Sequence, residues 1–199
     1  ASIAFRRAVF PAGHPQYRMT PEERIEALKK VSVGDIKKFH DKYFGADYCT
    51  MVVVGDVEPA SIQAYVKKSF ADWTGGEALP AAPKSIPVKK AKELTVNIPG
   101  KESVSVIMGT PTGLKYGDAD YLPLSVGTTV LGRGFTGRLL STVRDTEGLT
   151  YGIGAELVGS GKLEQAWVIS ATFAPSLLKK GLASTDRELT KWCRDGITE

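Results

Sequence analysis

The sequence predicts an α+β protein with mixed, largely antiparallel sheets packed against helices. Helical and strand patterns follow one another in the order ααβα and then ββααββα, which lacks the strict strand–helix alternation of a doubly wound parallel sheet. Strands are indicated by a β-branched run at residues 50–54 and by alternating apolar residues over 151–157 and 167–173. No internal repeat is visible.

Two helices are predicted near the start of the chain. Thr20, Pro21 and Glu23 have the order of an N-cap, a first helical residue and a capping-box glutamate, so a short helix should run through Val31. Ser32 opens the second helix in the same way. Its apolar residues recur at three- and four-residue spacing, which predicts one buried face: Val33, Ile36, Phe39 and Tyr43.

A strand and a third helix are predicted next. Residues 50–54 are apolar, continuous and too short for a helix, which favours a strand buried on both faces. The third helix begins at Pro59 and should end before Gly75. Its predicted buried stripe contains Ile62, Tyr65, Val66, Phe70 and Trp73.

A linker is predicted at residues 77–92, between one unit at 1–76 and another at 93–199. The linker region is rich in glycine, proline and lysine and has neither helical nor alternating periodicity. In the second unit, Pro99 and Gly100 are flanked by two apolar segments, which predicts a hairpin. The other predicted elements of this unit are helices at 118–131 and 136–147, strands at 151–157 and 167–173, and a final helix burying Leu178, Leu182, Leu189 and Trp192.

Composition excludes two classes of partner. The net charge is +4, but the lysines occur in scattered pairs beside acidic residues rather than on one face with aromatics, so we expect no nucleic-acid binding. The longest apolar runs are too short to cross a bilayer, and the N-terminus lacks the basic-then-apolar order of a signal peptide. The prediction is a soluble chain without a membrane span.

No cofactor or metal site is predicted in this chain. Residues 132–137 match the pattern G-x-G-x-x-G, yet a helical pattern precedes them where a dinucleotide site needs a strand, which favours a helix-to-helix turn over nucleotide binding. His14 and His40 belong to no zinc-peptidase motif, and Cys49 and Cys193 to no Cys-x-x-Cys. A serine or cysteine triad has equally little support.

Arg144 and Tyr151 are the remaining candidate site residues. The pattern places Arg144 near the end of a helix and Tyr151 on the following strand, so that both converge on one strand edge. Ordinary structural roles also explain them, since arginine is favourable at a helix C-terminus and tyrosine packs well in strands. Spacing alone favours those structural roles.

The segments around this pair resemble the Arg/Tyr region of the M16 metallopeptidases, the family of insulinase, pitrilysin and mitochondrial processing peptidase. Residues 134–140 and 144–155 carry the resemblance, supported upstream by residues 13–15, 38–44 and 51–57. The resemblance implies the C-terminal part of one M16 α+β unit, the linker, and the N-terminal part of a second unit that carries the Arg/Tyr segment.

The family's zinc motif H-x-x-E-H lies upstream of the region that this chain resembles and is absent here. The resemblance therefore implies that zinc is bound outside this chain in the intact enzyme, by an M16 unit of the same polypeptide or of a partner subunit. It also implies that Arg144 and Tyr151 hold a peptide or unfolded polypeptide substrate and stabilise its oxyanion, while this chain alone is inactive. The alternative is a nonenzymatic M16-like scaffold or peptide-binding subunit.

Overall fold

The computed structural model describes residues 1–197 and contains two compact units. One unit combines residues 1–18 with the chain from residue 82 onward, and the other spans residues 19–81. The assignment of 1–76 and 93–199 to two family units stays a prediction. In chain order the α-helices are α1 (Ser2–Val9), α2 (Pro21–Leu28), α3 (Val33–Tyr43), α4 (Pro59–Ser69), α5 (Tyr121–Gly132) and α6 (Leu178–Asp195).

The first unit is built on a three-stranded antiparallel sheet of β1 (Val104–Pro111), β2 (Gly152–Val158) and β3 (Ala166–Phe173). The strand order is β1-β3-β2, so β3 is central and β2 is an edge strand. Ala171 of β3 lies opposite Val106 on one side and Ile153 on the other. The α+β class with an antiparallel sheet is confirmed.

Helices cover one face of this sheet and part of the other. On one face, α5, α6 and a π-helix (Leu140–Thr146) bury a core that includes Leu131, Val143, Ile169 and Phe173. On the other face, α1 packs Val9 and Phe10 against Ala166 and Val168. β3 is therefore buried along one face, whereas on the other face Ala166 and Val168 are covered and Ser170 and Thr172 are exposed.

The predicted hairpin around Pro99 is wrong. No strand forms at residues 93–98, and β1 pairs with β3 instead. The alternation identified β1 as a strand but could not identify its partner, which lies about sixty residues away in sequence. The predicted helices at 118–131 and at the end of the chain are confirmed as α5 and α6.

The second unit contains α2, α3, a short 3-10 helix (Ala46–Tyr48) and α4. Both predicted capping boxes are confirmed: Thr20 Oγ1 accepts from the Glu23 amide at 3.2 Å, and Ser32 Oγ accepts from the Asp35 amide at 3.1 Å. The predicted buried faces are wrong, because no residue of α2, α3 or α4 is buried. In this unit local signals define the helices, but little apolar surface is covered.

The predicted buried strand at residues 50–54 is also wrong. This segment forms no strand, and Val52 and Val54 are 79% and 92% exposed. A strand needs a hydrogen-bonding partner, and none of the described residues pairs with this segment. Within residues 1–197, no helix is both long enough and apolar enough to cross a membrane.

Candidate functional site

Arg144 lies on the π-helix, one of the less common backbone forms and one that often occurs at functional sites. The wide turn is shown by the Glu147 amide, which donates to the Thr142 carbonyl at 3.0 Å. Leu140 and Val143 anchor the π-helix in the core. The sequence predicted an ordinary helix over 136–147, since a π-turn has no simple residue signature.

The Arg144 side chain is held at the surface. Its Nε donates to the Asp145 carboxylate at 2.7 Å, and its guanidinium lies 5.8 Å from the ring centroid of Phe135. About a third of the side chain is exposed, so part of the guanidinium fork can still reach a ligand. The neighbouring Phe135 is 80% exposed, which leaves an aromatic ring beside this cation.

Tyr151 lies one residue before β2 and is 93% exposed. The strand predicted at residues 151–157 forms as β2, which begins one residue after Tyr151, and Ile153 and Ala155 are buried on one of its faces. The turn is fixed by Thr150, whose Oγ1 donates to the Thr172 carbonyl at 2.5 Å and accepts from the Gly152 amide. The backbone of this turn is therefore anchored to the central strand while the phenol points away from the core.

The structure places Arg144 and Tyr151 on adjoining segments without joining them. Within residues 1–197 no hydrogen bond or ion pair links the two side chains. The intervening Gly148 has φ +64°, a left-handed conformation that ends the π-helix and turns the chain toward β2. The convergence of their polar groups on one ligand stays a prediction.

A shallow hollow of about 250 Å³ lies on the sheet beside Tyr151, a feature that the sequence analysis missed. Its floor is made largely of small residues from all three strands: Ser105, Gly152, Gly154, Ser170 and Thr172. Small side chains leave room for a backbone to approach the sheet closely. The relevant sequence signal was the spacing of glycines on β2, which becomes informative once the strand register is known.

The sequence analysis also missed four residues near the site: Glu147 after the π-helix, and Ser184, Arg187 and Glu188 on α6. Arg187 pairs with Glu147 at the end of the π-helix, and its neighbours Ser184 and Glu188 are buried in α6. Forty residues separate Arg187 from Glu147, so no local spacing rule could relate them.

The described residues do not fit a zinc site. His14 is buried, stacks on Phe10 and accepts a hydrogen bond from the Gln16 amide through Nδ1. His40 is exposed, with its Nδ1 3.3 Å from the Asp41 carboxylate. Within residues 1–197 no three histidine, cysteine or acidic residues cluster in a way that could hold a metal ion.

The glycine-rich segment at 132–137 is a helix-to-helix turn. It follows α5 rather than a strand, so it lacks the context that a dinucleotide site requires. Gly132 allows α5 to end against β2, because a Cβ at this position would lie 2.4 Å from the Ala155 nitrogen. The glycine is explained by this close approach between helix and strand.

Comparisons with known proteins agree with this fold. Residues 30–199 match the family model described as the peptidase M16 inactive domain. The chain is 28% identical over 183 residues to an uncharacterized zinc protease of Mycobacterium tuberculosis, covering 88% of this chain and 41% of that protein. A zinc protease of Mycobacterium leprae is 24% identical over 180 residues, with 88% and 39% covered.

Two solved structures have the same fold. A peptidase M16 inactive domain from Pseudomonas fluorescens superposes with a TM-score of 0.85 at 22% identity, covering all of this chain and 47% of the other. A protease from Helicobacter pylori gives 0.71 at 23% identity, covering 88% and 43%. The chain spans about two fifths of the length of the curated relatives it matches. Since the family model matches most of its residues, the chain belongs to the peptidase M16 family, in the part described as the inactive domain.

Proposed function

We propose that this chain is a noncatalytic part of an M16 zinc metallopeptidase and supplies Arg144 and Tyr151 to a site whose zinc is bound outside it. The main support for this proposal is the exposure of Tyr151. Its phenol is 93% exposed although the adjacent Thr150 and nearby Ile153 are buried. An aromatic side chain that is held on an anchored backbone but does not pack in the neighbouring core is free to contact a ligand.

The chemistry of the pair suits a peptide bond under attack. A guanidinium donates in a fixed fork and can hold a substrate carbonyl, while a phenol can donate to an oxyanion. One such oxyanion donor is typically worth about 3 to 4 kcal/mol, or on the order of a hundredfold to a thousandfold in turnover. Arg144 and Tyr151 would therefore bind the substrate and stabilise its oxyanion, while the zinc would be held by residues outside this chain.

The edge position of β2 supports a peptide or unfolded polypeptide as the substrate. An edge strand can pair with an added extended segment through main-chain hydrogen bonds. Tyr151 immediately precedes this strand, and the hollow of small residues lies beside it. A peptide running along β2 would thus pass the phenol with its backbone accessible.

The partner we propose is a zinc-bearing M16 unit, on the same polypeptide or on a partner subunit. Support comes from the second compact unit, whose exposed apolar surface comprises Val33, Ile36, Phe39, Val52 and Val54. Large apolar side chains left exposed in such number are the kind of surface that an interaction partner covers. The relatives named zinc proteases are more than twice as long as the region they share with this chain, which provides the sequence for such a unit.

The test is substitution in the zinc-bearing protein or complex that contains this chain. Tyr151→Phe removes only the phenol hydroxyl, so turnover of a peptide should fall on the order of a hundredfold or more while zinc content stays constant. Arg144→Met should weaken substrate binding. Tyr116→Phe, a matched change at another exposed tyrosine, should have little effect. Unchanged turnover in both the Tyr151 and Arg144 variants would refute the assigned roles.

A nonenzymatic scaffold or peptide-binding subunit is the second candidate. The family model that matches describes an inactive domain, and the described residues form no metal cluster. On either proposal the chain by itself should not hydrolyse peptides. A chelator-sensitive peptidase activity in the native assembly would exclude the scaffold, whereas peptide binding without hydrolysis would favour it.

A further inference from the structure

We propose that Arg187 of α6 is a positioning residue for the segment that carries Arg144 and Tyr151. It acts through what we name the α6 latch, formed by Glu147, Ser184, Arg187 and Glu188. The catalytic consequence rests on the proposed function, whereas the structural effect of the latch can be measured without it.

The latch joins the end of the π-helix to α6. Glu147 is the residue that caps the π-helix, and its carboxylate accepts a hydrogen bond from Arg187 Nη2. The same Nη2 lies within hydrogen-bond distance of Ser184 Oγ, at 2.9 Å. Arg187 Nε donates to Glu188 Oε1 at 3.2 Å, which fixes the guanidinium from its other side.

The α6 side of the latch is rigid. Ser184 and Glu188 are 1% and 4% exposed, so their positions are set by packing. A turn earlier on α6, Gly181 lies so close to Phe173 of β3 that a Cβ would be 2.2 Å from the ring. Arg187 therefore projects from a helix that has little freedom to shift relative to the sheet.

The π-helix side needs such support. Its i→i+5 bonds form a wide turn that is rarely stable over more than a single turn, and a shift to α-helical bonding would rotate Arg144 about the helix axis. Further along the chain, the Leu149 amide donates to the Val143 carbonyl at 2.9 Å, and Thr150 Oγ1 donates to the Thr172 carbonyl. The latch holds this segment at Glu147, between Arg144 and Tyr151, and Thr150 holds it next to Tyr151.

Charge at the latch is maintained at neutral pH. The hydrogen bond from Ser184 and the adjacent Arg187 lower the pKa of Glu147 below its ordinary value. Lys191, whose Nζ is 3.4 Å from Glu188, adds a second cation facing this cluster. The ion pair between Arg187 and Glu147 is partly exposed, and such pairs contribute little to the free energy of unfolding. The main effect of this pair should therefore be on local order.

The test compares Arg187→Met with Arg194→Met in the whole chain, using amide hydrogen exchange. Arg194 lies on the same helix and pairs with Asp195 in a similar exposed ion pair, and within residues 1–197 no hydrogen bond or ion pair joins it to the π-helix. Loss of the latch should speed exchange at residues 144–151 by about fivefold or more, with no change in β3 and α5. Glu147→Gln, which removes the charge that pairs with Arg187, should also speed exchange at residues 144–151. Arg187→Lys keeps a positive charge and should restore part of the protection from exchange.

Exchange at 144–151 that is equal in the Arg187 and Arg194 variants would overturn the positioning role. In the zinc-bearing assembly, Arg187→Met should lower kcat and raise KM, since it would misplace both Tyr151 and Arg144, and it should leave zinc content unchanged. If exchange rises as expected while neither Tyr151 nor Arg144 affects turnover, the latch stands and the proposed function fails. If the Tyr151 and Arg144 variants lose activity but exchange is unaffected by Arg187→Met, the proposed function stands and this inference fails.

Discussion

The side chain of His14 is buried in the loop after α1, with 3% of its surface exposed. Its ring stacks on Phe10 with centroids 4.5 Å apart, and Nδ1 accepts from the Gln16 amide. This bond requires a neutral Nδ1, so the remaining nitrogen carries the proton. Burial lowers the pKa of His14 from its ordinary value of 6.5, and the charge of Glu164 opposes the shift only in part.

Stability should therefore decrease on mild acidification. Between the folded pKa of His14 and 6.5, the unfolded chain binds a proton that the folded chain does not, so the free energy of unfolding falls as the pH falls. Below the folded pKa both states are protonated and this group causes no further loss. Urea unfolding between about pH 7.5 and about pH 5 measures the slope.

His14→Gln should flatten that slope, because it removes the buried imidazole whose pKa is lowered. His40→Gln makes the same substitution at an exposed histidine of α3 and is its matched control. Equal slopes in wild-type protein and His14→Gln would show that another group causes the pH dependence.

At the scale of elements, β2 contains two glycines with different surroundings. A Cβ at Gly154 would lie 2.9 Å from the Gly132 carbonyl oxygen at the end of α5, whereas a Cβ at Gly152 would meet nothing within 4 Å. Gly154→Ala must therefore displace α5 or β2, and it should lower the free energy of unfolding by about 1–3 kcal/mol.

Gly152→Ala is the matched control on the same strand, and it should change stability by less than about 0.5 kcal/mol. Chemical denaturation of both variants gives the comparison. A loss of equal size at the two positions would mean that strand propensity, rather than the approach of α5, determines the cost.

Elements with local signals were predicted well, and long-range relations were not. The capping box at Thr20 depends on residues three apart, so the sequence predicted it and the structure confirms it. The partner of β1 and the pairing of Arg187 with Glu147 depend on which distant segments meet. At the candidate site, Arg144 and Tyr151 were identified by family resemblance, while the π-turn and the exposure of Tyr151 required the structure.

At the scale of the whole molecule, the two units differ in how much apolar surface they bury. The first unit has an apolar core on each face of its sheet. In the second unit, Val33, Ile36 and Phe39 of α3 and the apolar residues 51–54, all predicted to be buried, are exposed. A sequence pattern shows that a helix or strand has an apolar face. It does not show whether the residues that bury this face belong to the described chain.

The last prediction concerns the exposed apolar surface of the second unit. Val52→Asp together with Val54→Asp should leave the stability of the isolated chain nearly unchanged, because exposed substitutions usually alter it by less than about 0.5 kcal/mol each. Association with the zinc-bearing unit should weaken by about a hundredfold or more, since burying an unpaired charge costs about 3 kcal/mol or more.

Leu122→Asp, at a residue of α5 that is 67% exposed, introduces the same charge outside this surface and should leave association intact. Thermal unfolding of each variant measures its stability. Titration with the zinc-bearing unit measures association, and where both units lie on one polypeptide, limited proteolysis at residues 50–54 measures it instead. Normal association of the double variant would show that this surface is not covered by the zinc-bearing unit. A large loss of stability in the isolated chain would instead mean that residues 50–54 contribute to folding within the second unit itself.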